Sequence, residues 1–178
     1  MRQELADCLD LLDLEPIETN LFRGVSPPAG WRRVYGGQVL AQAMTAAART
    51  MEDQHPPNSL HGYFLRAGDP AIPILYSVDR IRDGKSFTIR RVVAIQRGAA
   101  IFSMAVSFHV DESGLTHSVP MPAVPGPDDV PPQPRHAHQP LEFEKRSQPI
   151  EMRFVEPYGE HNPKQTRTSH AARLDPHG

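Results

Sequence analysis

Gly36-Gly37-Gln38-Val39-Leu40-Ala41-Gln42-Ala43-Met44-Thr45-Ala46-Ala47-Ala48-Arg49-Thr50-Met51 is the stretch on which the fold turns. Its apolar positions Val39, Leu40, Ala43, Met44 and Ala47 recur at helical intervals, and the alanines leave a face slim enough for another element to pack closely against it. This predicts one long helix. After it the period changes to two. Residues 59–66, 74–82, 86–96 and 99–110 read as strands, with turns expected at Ala67-Gly68-Asp69-Pro70, Asp83-Gly84 and Arg97-Gly98. In the last strand Phe102, Met104, Val106, Phe108 and Val110 face one way and Ser103, Ser107 and His109 the other. In the strand before it, Phe87, Ile89, Val93 and Ile95 form the mainly apolar face, interrupted by Arg91. One helix followed by four long strands joined through tight turns implies an α+β arrangement, an antiparallel sheet curled about a helix.

Ahead of the helix, Leu5, Cys8, Leu9 and Leu12 share one helical face within residues 4–14, and Pro16 closes the segment. Residues 17–23 read as a strand ended by Gly24 and the Pro27-Pro28 turn. Beyond residue 110 the composition shifts. Twelve of the 19 prolines lie from Glu112 onward, among Ser, Gln, His and charged residues that bury too little apolar surface to offset chain entropy.

Charge and length narrow the function. The 178 residues carry 19 Lys and Arg against 21 Asp and Glu, a net charge of -2, without the broad positive surface that nucleic-acid binding needs. No apolar run approaches the ~20 residues of a membrane span. Cys8 is the single cysteine, so neither an intrachain disulfide nor a multi-cysteine zinc site is available; a reducing, cytoplasmic compartment is expected. The opening MRQELADCLDLL is acidic and helical in pattern, unlike a signal peptide.

Ordered blocks along the first 125 residues carry a resemblance: Leu14-Glu15-Pro16-Ile17, Asn20-Leu21-Phe22-Arg23-Gly24, Tyr35-Gly36-Gly37-Gln38-Val39-Leu40-Ala41-Gln42-Ala43, His61-Gly62-Tyr63-Phe64-Leu65-Arg66-Ala67-Gly68-Asp69, Arg82-Asp83-Gly84-Lys85-Ser86-Phe87, Arg90-Arg91-Val92 and Met121-Pro122. Together they resemble the opening of the acyl-CoA thioesterase II family, whose fold is a double hotdog, each sheet wrapping a long helix. The resemblance implies hydrolysis of fatty acyl-CoA to free fatty acid and coenzyme A, with no cofactor, no metal and no covalent acyl-enzyme. An aspartate, a glutamine and a serine or threonine activate water while helix N-terminal amides polarise the thioester carbonyl. Those three side chains sit in the family's second hotdog, which lies beyond this chain. Ile150-Glu151-Met152-Arg153-Phe154-Val155 and Asn162-Pro163-Lys164-Gln165 resemble the start of that second domain, and after Gln165 the likeness ends, as an altered frame or early stop produces. The expected organisation is an N-terminal hotdog domain at 1–112, a proline-rich linker at 113–149 and the remnant start of a second hotdog domain at 150–178, poorly ordered.

The candidate substrate-binding residues are Gly36, Gly37 and Gln38. Two glycines at a helix start admit a carbonyl close to the backbone and Gln38 is placed to orient it, although the same pair also serves a tight entry into a buried helix. Asn58, Ser59 and Ser107 lie on strands next to the helix, either as relics of catalytic groups or as ordinary strand polar residues. Arg80, Arg82, Lys85, Arg90, Arg91 and Arg97 cluster at two hairpin ends, where they pair with coenzyme A phosphates or form a solvated sheet face. His117, His136, His138, His161, His170 and His177 belong to the proline-rich tail without fixed geometry for a metal. Cys8 reads as a small packing residue on the buried face of the first helix. Gly84-Lys85-Ser86-Phe87-Thr88 lacks the second glycine of a nucleophile elbow. Two classes of function stay open: an acyl-CoA thioesterase, and a catalytically silent hotdog that binds acyl-CoA or serves assembly. A third option is a site built by dimerisation. A lone sheet edge and an uncovered apolar face predict a homo-oligomer paired through sheet edges.

Overall fold

The computed structural model describes residues 3–27, 32–52 and 55–130, and of Glu4 its backbone only. Residues 1–117 form one compact unit and residues 118–178 a second. The described part of the second unit is irregular chain with one 3-10 turn, Pro127–Asp129, started by the fixed φ of Pro127. The expected strand and bend at 150–165 lie outside the described residues.

In the first unit, helix α1 (Gln3–Asp10) precedes a small hairpin of β1 (Glu15–Glu18) and β2 (Leu21–Gly24). The single strand expected at 17–23 is interrupted because Asn20 adopts φ 62°, a left-handed turn that asparagine tolerates and that folds the segment back on itself. Helix α2 (Gly36–Ala48) follows, then β3 (Pro57–Phe64), β4 (Ile74–Asp83), β5 (Phe87–Gln96) and β6 (Ala99–His109). The strands make one antiparallel sheet in the order β1-β2-β4-β5-β6-β3. β4, β5 and β6 form the expected meander, but β3 does not pair with β4. It lies at the far edge beside β6, so residues 65–73 are a crossover and not a hairpin turn.

The sheet closes on α2 through Val39, Ala43, Ala46 and Ala47, which meet Ile74, Tyr76 and Val78 of β4, Val92 and Ala94 of β5, and Phe102, Met104, Val106 and Phe108 of β6. Alanine lets the backbones approach, and the large residues across from it fill the space. This is the hotdog arrangement that the resemblance implies.

Two expectations reverse here. In β5 the buried side chains are Thr88, Arg90, Val92, Ala94 and Gln96, while Phe87, Ile89, Arg91, Val93 and Ile95 lie on the outer face. In α1, Leu5 and Leu9 are exposed while Cys8 and, just beyond the helix, Leu12 are half-buried, so only part of the expected apolar stripe is covered among the described residues.

Candidate functional site

The two ends of α2 are built differently. At its start, Tyr35 occupies the N-cap position in extended backbone (φ -67°, ψ 129°), makes no side-chain cap bond, and no acidic residue stands in the first turn. Orphan N-H groups and the positive end of the helix dipole are thus left for something else to satisfy. At Gly36 a Cβ would stand 3.1 Å from the ring of Phe64, closer than ordinary contact. Gly37 is covered by the exposed ring of Tyr35, which a Cβ would meet at 2.5 Å. Gln38 donates from Nε2 to the Val25 carbonyl (3.1 Å) and to Ser26 Oγ (3.0 Å), so its amide nitrogen fastens the chain arriving from β2.

One turn later Gln42 is wholly buried. Its Nε2 donates to the carbonyls of Leu11 (2.7 Å) and Val25 (3.1 Å), and its Oε1 accepts from the Tyr76 hydroxyl at 2.7 Å. Gly24 gives it room, since a Cβ there would come within 2.7 Å of that oxygen. Burial raises the Tyr76 phenol far above its ordinary range, because a phenolate there would lose its hydration. Tyr76 is therefore a fixed neutral donor. The Gln42 cluster ties the end of the α1 segment, the β2 exit and β4 to the first half of α2.

At the opposite end Arg90, fully buried, reaches from β5 to the α2 terminus. Its guanidinium donates to Thr50 Oγ1 (2.8 Å), the Thr50 carbonyl (3.3 Å), the carbonyls of Arg82 (3.0 Å) and Ile89 (3.1 Å), and the Asp83 carboxylate. Thr50 Oγ1 donates in turn to Ala47 O (2.7 Å). Arg49 adds an ion pair with Asp13 (2.6 Å). Cavities of about 370 and 190 Å³ lie at this end, sharing Thr50 and Arg80.

Of the other residues singled out in the sequence, Ser59 pairs with Ser107 across the β3-β6 ladder, opposite to the buried face of β6, and Asn58 and Ser59 are exposed. None of these three joins the α2 N-terminus. The basic cluster is dispersed: Arg90 is the buried clamp, Arg91 pairs with Asp79 (2.5 Å), Arg97 with Asp69 (3.3 Å), and Arg80 donates to Asn20 (2.9 Å). For Arg90 the solvated-face and phosphate readings are both corrected, since every direction of its fork is taken inside the protein. His136, His138, His161, His170 and His177 lie outside the described residues. The buried polar residues that sequence reasoning did not single out for a role include Gln42, Thr50 and Tyr76, and Arg90 was placed in the surface basic cluster and not in the core. Gln42 did carry a signal, a lone amide within an alanine stripe.

A family model for the acyl-CoA thioesterase N-terminal domain matches residues 26–109. Among curated relatives, mouse acyl-coenzyme A thioesterase 8 is 46% identical over 123 residues, covering 67% of this chain and 38% of the relative. Acyl-CoA thioesterase 2 of Haemophilus influenzae is 41% identical over 129 residues, 72% of this chain and 45% of the relative. The chain thus spans less than half the length of these relatives. Among solved structures, the acyl-CoA thioesterase II TesB2 of Mycobacterium marinum superposes with TM-score 0.63 at 45% identity, covering 70% of this chain and 47% of that one. A hot dog fold protein of unknown function from Alicyclobacillus acidocaldarius gives 0.66 at 22% identity over 77% of this chain and 52% of that one, a likeness of fold alone.

Proposed function

With residues 26–109 belonging to the acyl-CoA thioesterase N-terminal domain family, we propose that the protein serves hydrolysis of fatty acyl-CoA to free fatty acid and coenzyme A, this domain supplying the acyl-CoA-binding half. The observation that carries the assignment is the uncapped start of α2 at Gly36 and Gly37, beside the apolar rings of Tyr35 and Phe64. Backbone donors next to an apolar wall suit a thioester carbonyl joined to an acyl chain.

Binding rather than proton transfer is assigned to this half because the described groups touching Gly36, Gly37 and Gln38 are Phe64, Tyr35, Val25 and Ser26, with no carboxylate among them. Asp69, in the crossover that leads away from β3, is engaged by the Ala71 amide (3.0 Å) and Arg97. Activating water requires a positioned base, and the resemblance places it in a second hotdog. Self-association through the exposed sheet edge belongs to the same proposal, supported by β3 ending the sheet with its large apolar residues exposed. So does a reducing, cytoplasmic location, supported by the single Cys8.

The test measures binding of a medium-chain acyl-CoA by calorimetry and release of coenzyme A with a thiol reagent, after subtracting the single increment due to Cys8. Saturable binding without turnover is expected. Turnover abolished by Gln38→Ala would instead establish a site completed by dimerisation, and absence of binding would refute the assignment.

A further inference from the structure

β5 ends on a side chain that grips a neighbouring loop. Gln96, its last residue, is buried, and its amide is fully used on the crossover that carries the chain from β3 to β4. Oε1 accepts from the Asp69 amide (2.8 Å), while Nε2 donates to the carbonyls of Asp69 (2.9 Å) and Ile72 (2.6 Å). Two donors and an acceptor on one flat, neutral group match what this bend of backbone presents.

The bond to Asp69 reaches further than the crossover. The Asp69 N-H and the Gly68 carbonyl belong to one planar peptide unit, whose two ends point in opposite directions. On the far side of that unit the Gly68 carbonyl accepts from the Val34 amide at 2.9 Å. Val34 directly precedes Tyr35, the N-cap residue of α2. The Gln96 amide therefore meets the entry to α2 through a single rigid plate, and turning that plate would break the bonds at both of its ends at once. Packing closes around the same point: a Cβ on Gly68 would stand 3.1 Å from Val34 Cγ2, 3.2 Å from Ile101 Cδ1 and 3.3 Å from Gln96 Oε1.

We propose that Gln96 is a positioning residue for the start of α2: by fixing the peptide plane between Gly68 and Asp69 it sets where Val34 stands, and with it the direction in which the Gly36 and Gly37 amides point. Its consequence for acyl-CoA rests on the reading of that helix start as the thioester-binding end. Gln38 secures the same start from the side of β2, through Val25 and Ser26. Gln96 governs the side of the crossover, which follows Phe64, the residue whose ring faces Gly36. The rest of the crossover is held by other bonds, since Leu65 and Arg66 donate to the Ile101 carbonyl and Arg97 pairs with Asp69. Losing the Gln96 contacts thus frees Val34 without freeing the sheet.

The experiment uses the full chain with Gln96→Met, which keeps the length of the side chain and removes its donors and acceptor. Gln96→Asn, whose amide ends one carbon short of its partners, takes its place where the first variant does not fold. Amide hydrogen exchange without ligand should show Val34 losing at least about tenfold in protection, while Val92 and Ala94 in the middle of β5 keep theirs. Arg97→Asn removes the neighbouring ion pair and tolerates φ 49°, and should leave Val34 within about twofold of the parent. Calorimetric titration with decanoyl-CoA should show several-fold weaker binding by the Gln96 variant. Unchanged protection of Val34, a loss shared equally by Val92 and Ala94, or an equal loss in Arg97→Asn overturns the relay. A loosened Val34 with unchanged binding overturns the positioning of the site. If the parent itself does not bind, the reading of the helix start fails, and exchange at Val34 still decides whether Gln96 holds the entry to α2.

Discussion

The two ends of α2 are held in opposite ways. The Thr50 end is tied down: Arg90 holds Thr50, Arg82, Ile89 and Asp83, and Arg49 holds Asp13. At the Gly36 end, among the described residues, there is no side-chain cap and no acidic residue in the first turn, and the neighbours of the two glycines are rings. A helix fixed at one terminus is free to leave the other chemically unsatisfied, which is the condition for binding an electron-rich group. Gln42 stands between, fastening the first half of the helix without closing its start.

The largest expected effect breaks the clamped end. Arg90→Ala removes a wholly buried side chain with five internal partners and should lower unfolding free energy by about 3 kcal/mol, read by urea denaturation. A loss below about 1 kcal/mol would mean that the clamp is decorative. Next, Gln42→Ala leaves the Leu11 carbonyl and the Tyr76 hydroxyl without their partner and the Val25 carbonyl with Gln38 alone. About 2 kcal/mol should go, and proteolysis near residues 10–14 should accelerate as that segment loosens.

Tyr76 adds a pH test of the same cluster. A phenol whose titration is raised by burial contributes stability that is complete below its unfolded value of about 10 and is lost as pH rises above it. Stability should therefore fall on the alkaline side. Tyr76→Phe should cost about 1 kcal/mol at neutral pH and flatten that decline, and equal slopes for the two proteins would remove Tyr76 as its source.

The sequence shows α2 and β6 in plain alternation, yet it misorients β5, and the reason is local. The two-residue turn Arg97-Gly98, with φ 49° and 74°, joins β5 to β6 so that Gln96 faces Ala99 and Ile95 faces Ala100. Continued regularly, that register sets Val93 opposite Phe102 and sends Phe87, Ile89 and Val93 inward, as their apolar character suggests, together with Arg91. Instead the register shifts between Ala94 and Ile95: Ala94 faces Phe102 and Ile101 is the extra residue. A one-residue bulge turns the whole strand over, carrying Arg90 into the core. The bulged Ile101 carbonyl accepts from both Leu65 and Arg66, which helps to anchor the end of β3. Nothing in the apolar pattern marks such a bulge, since Ile101 and Phe102 are both apolar. The place of β3 was equally hidden, because Ala67-Gly68-Asp69-Pro70 has the residues of a hairpin turn while the chain there crosses to the other end of the sheet. By contrast Gly36, Gly37 and Gln38 are legible as a helix start, because two glycines followed at once by the helical apolar period are written in consecutive residues.

The smallest stability effect is expected at the open end, where it sharpens the contrast most. Gly37→Ala adds a methyl whose nearest neighbour is the exposed ring of Tyr35, which can swing away, and alanine favours helix over glycine by at most about 1 kcal/mol. Unfolding free energy should stay within about 1 kcal/mol of the parent. Acyl-CoA binding should nevertheless weaken several-fold, because the new Cβ and the displaced ring stand where a carbonyl must approach the backbone. Calorimetry beside urea denaturation measures both quantities on one sample. If binding and stability move together, the start of α2 is an ordinary helix entry; if binding alone falls, the terminus that the fold leaves unsatisfied is the one that meets the thioester.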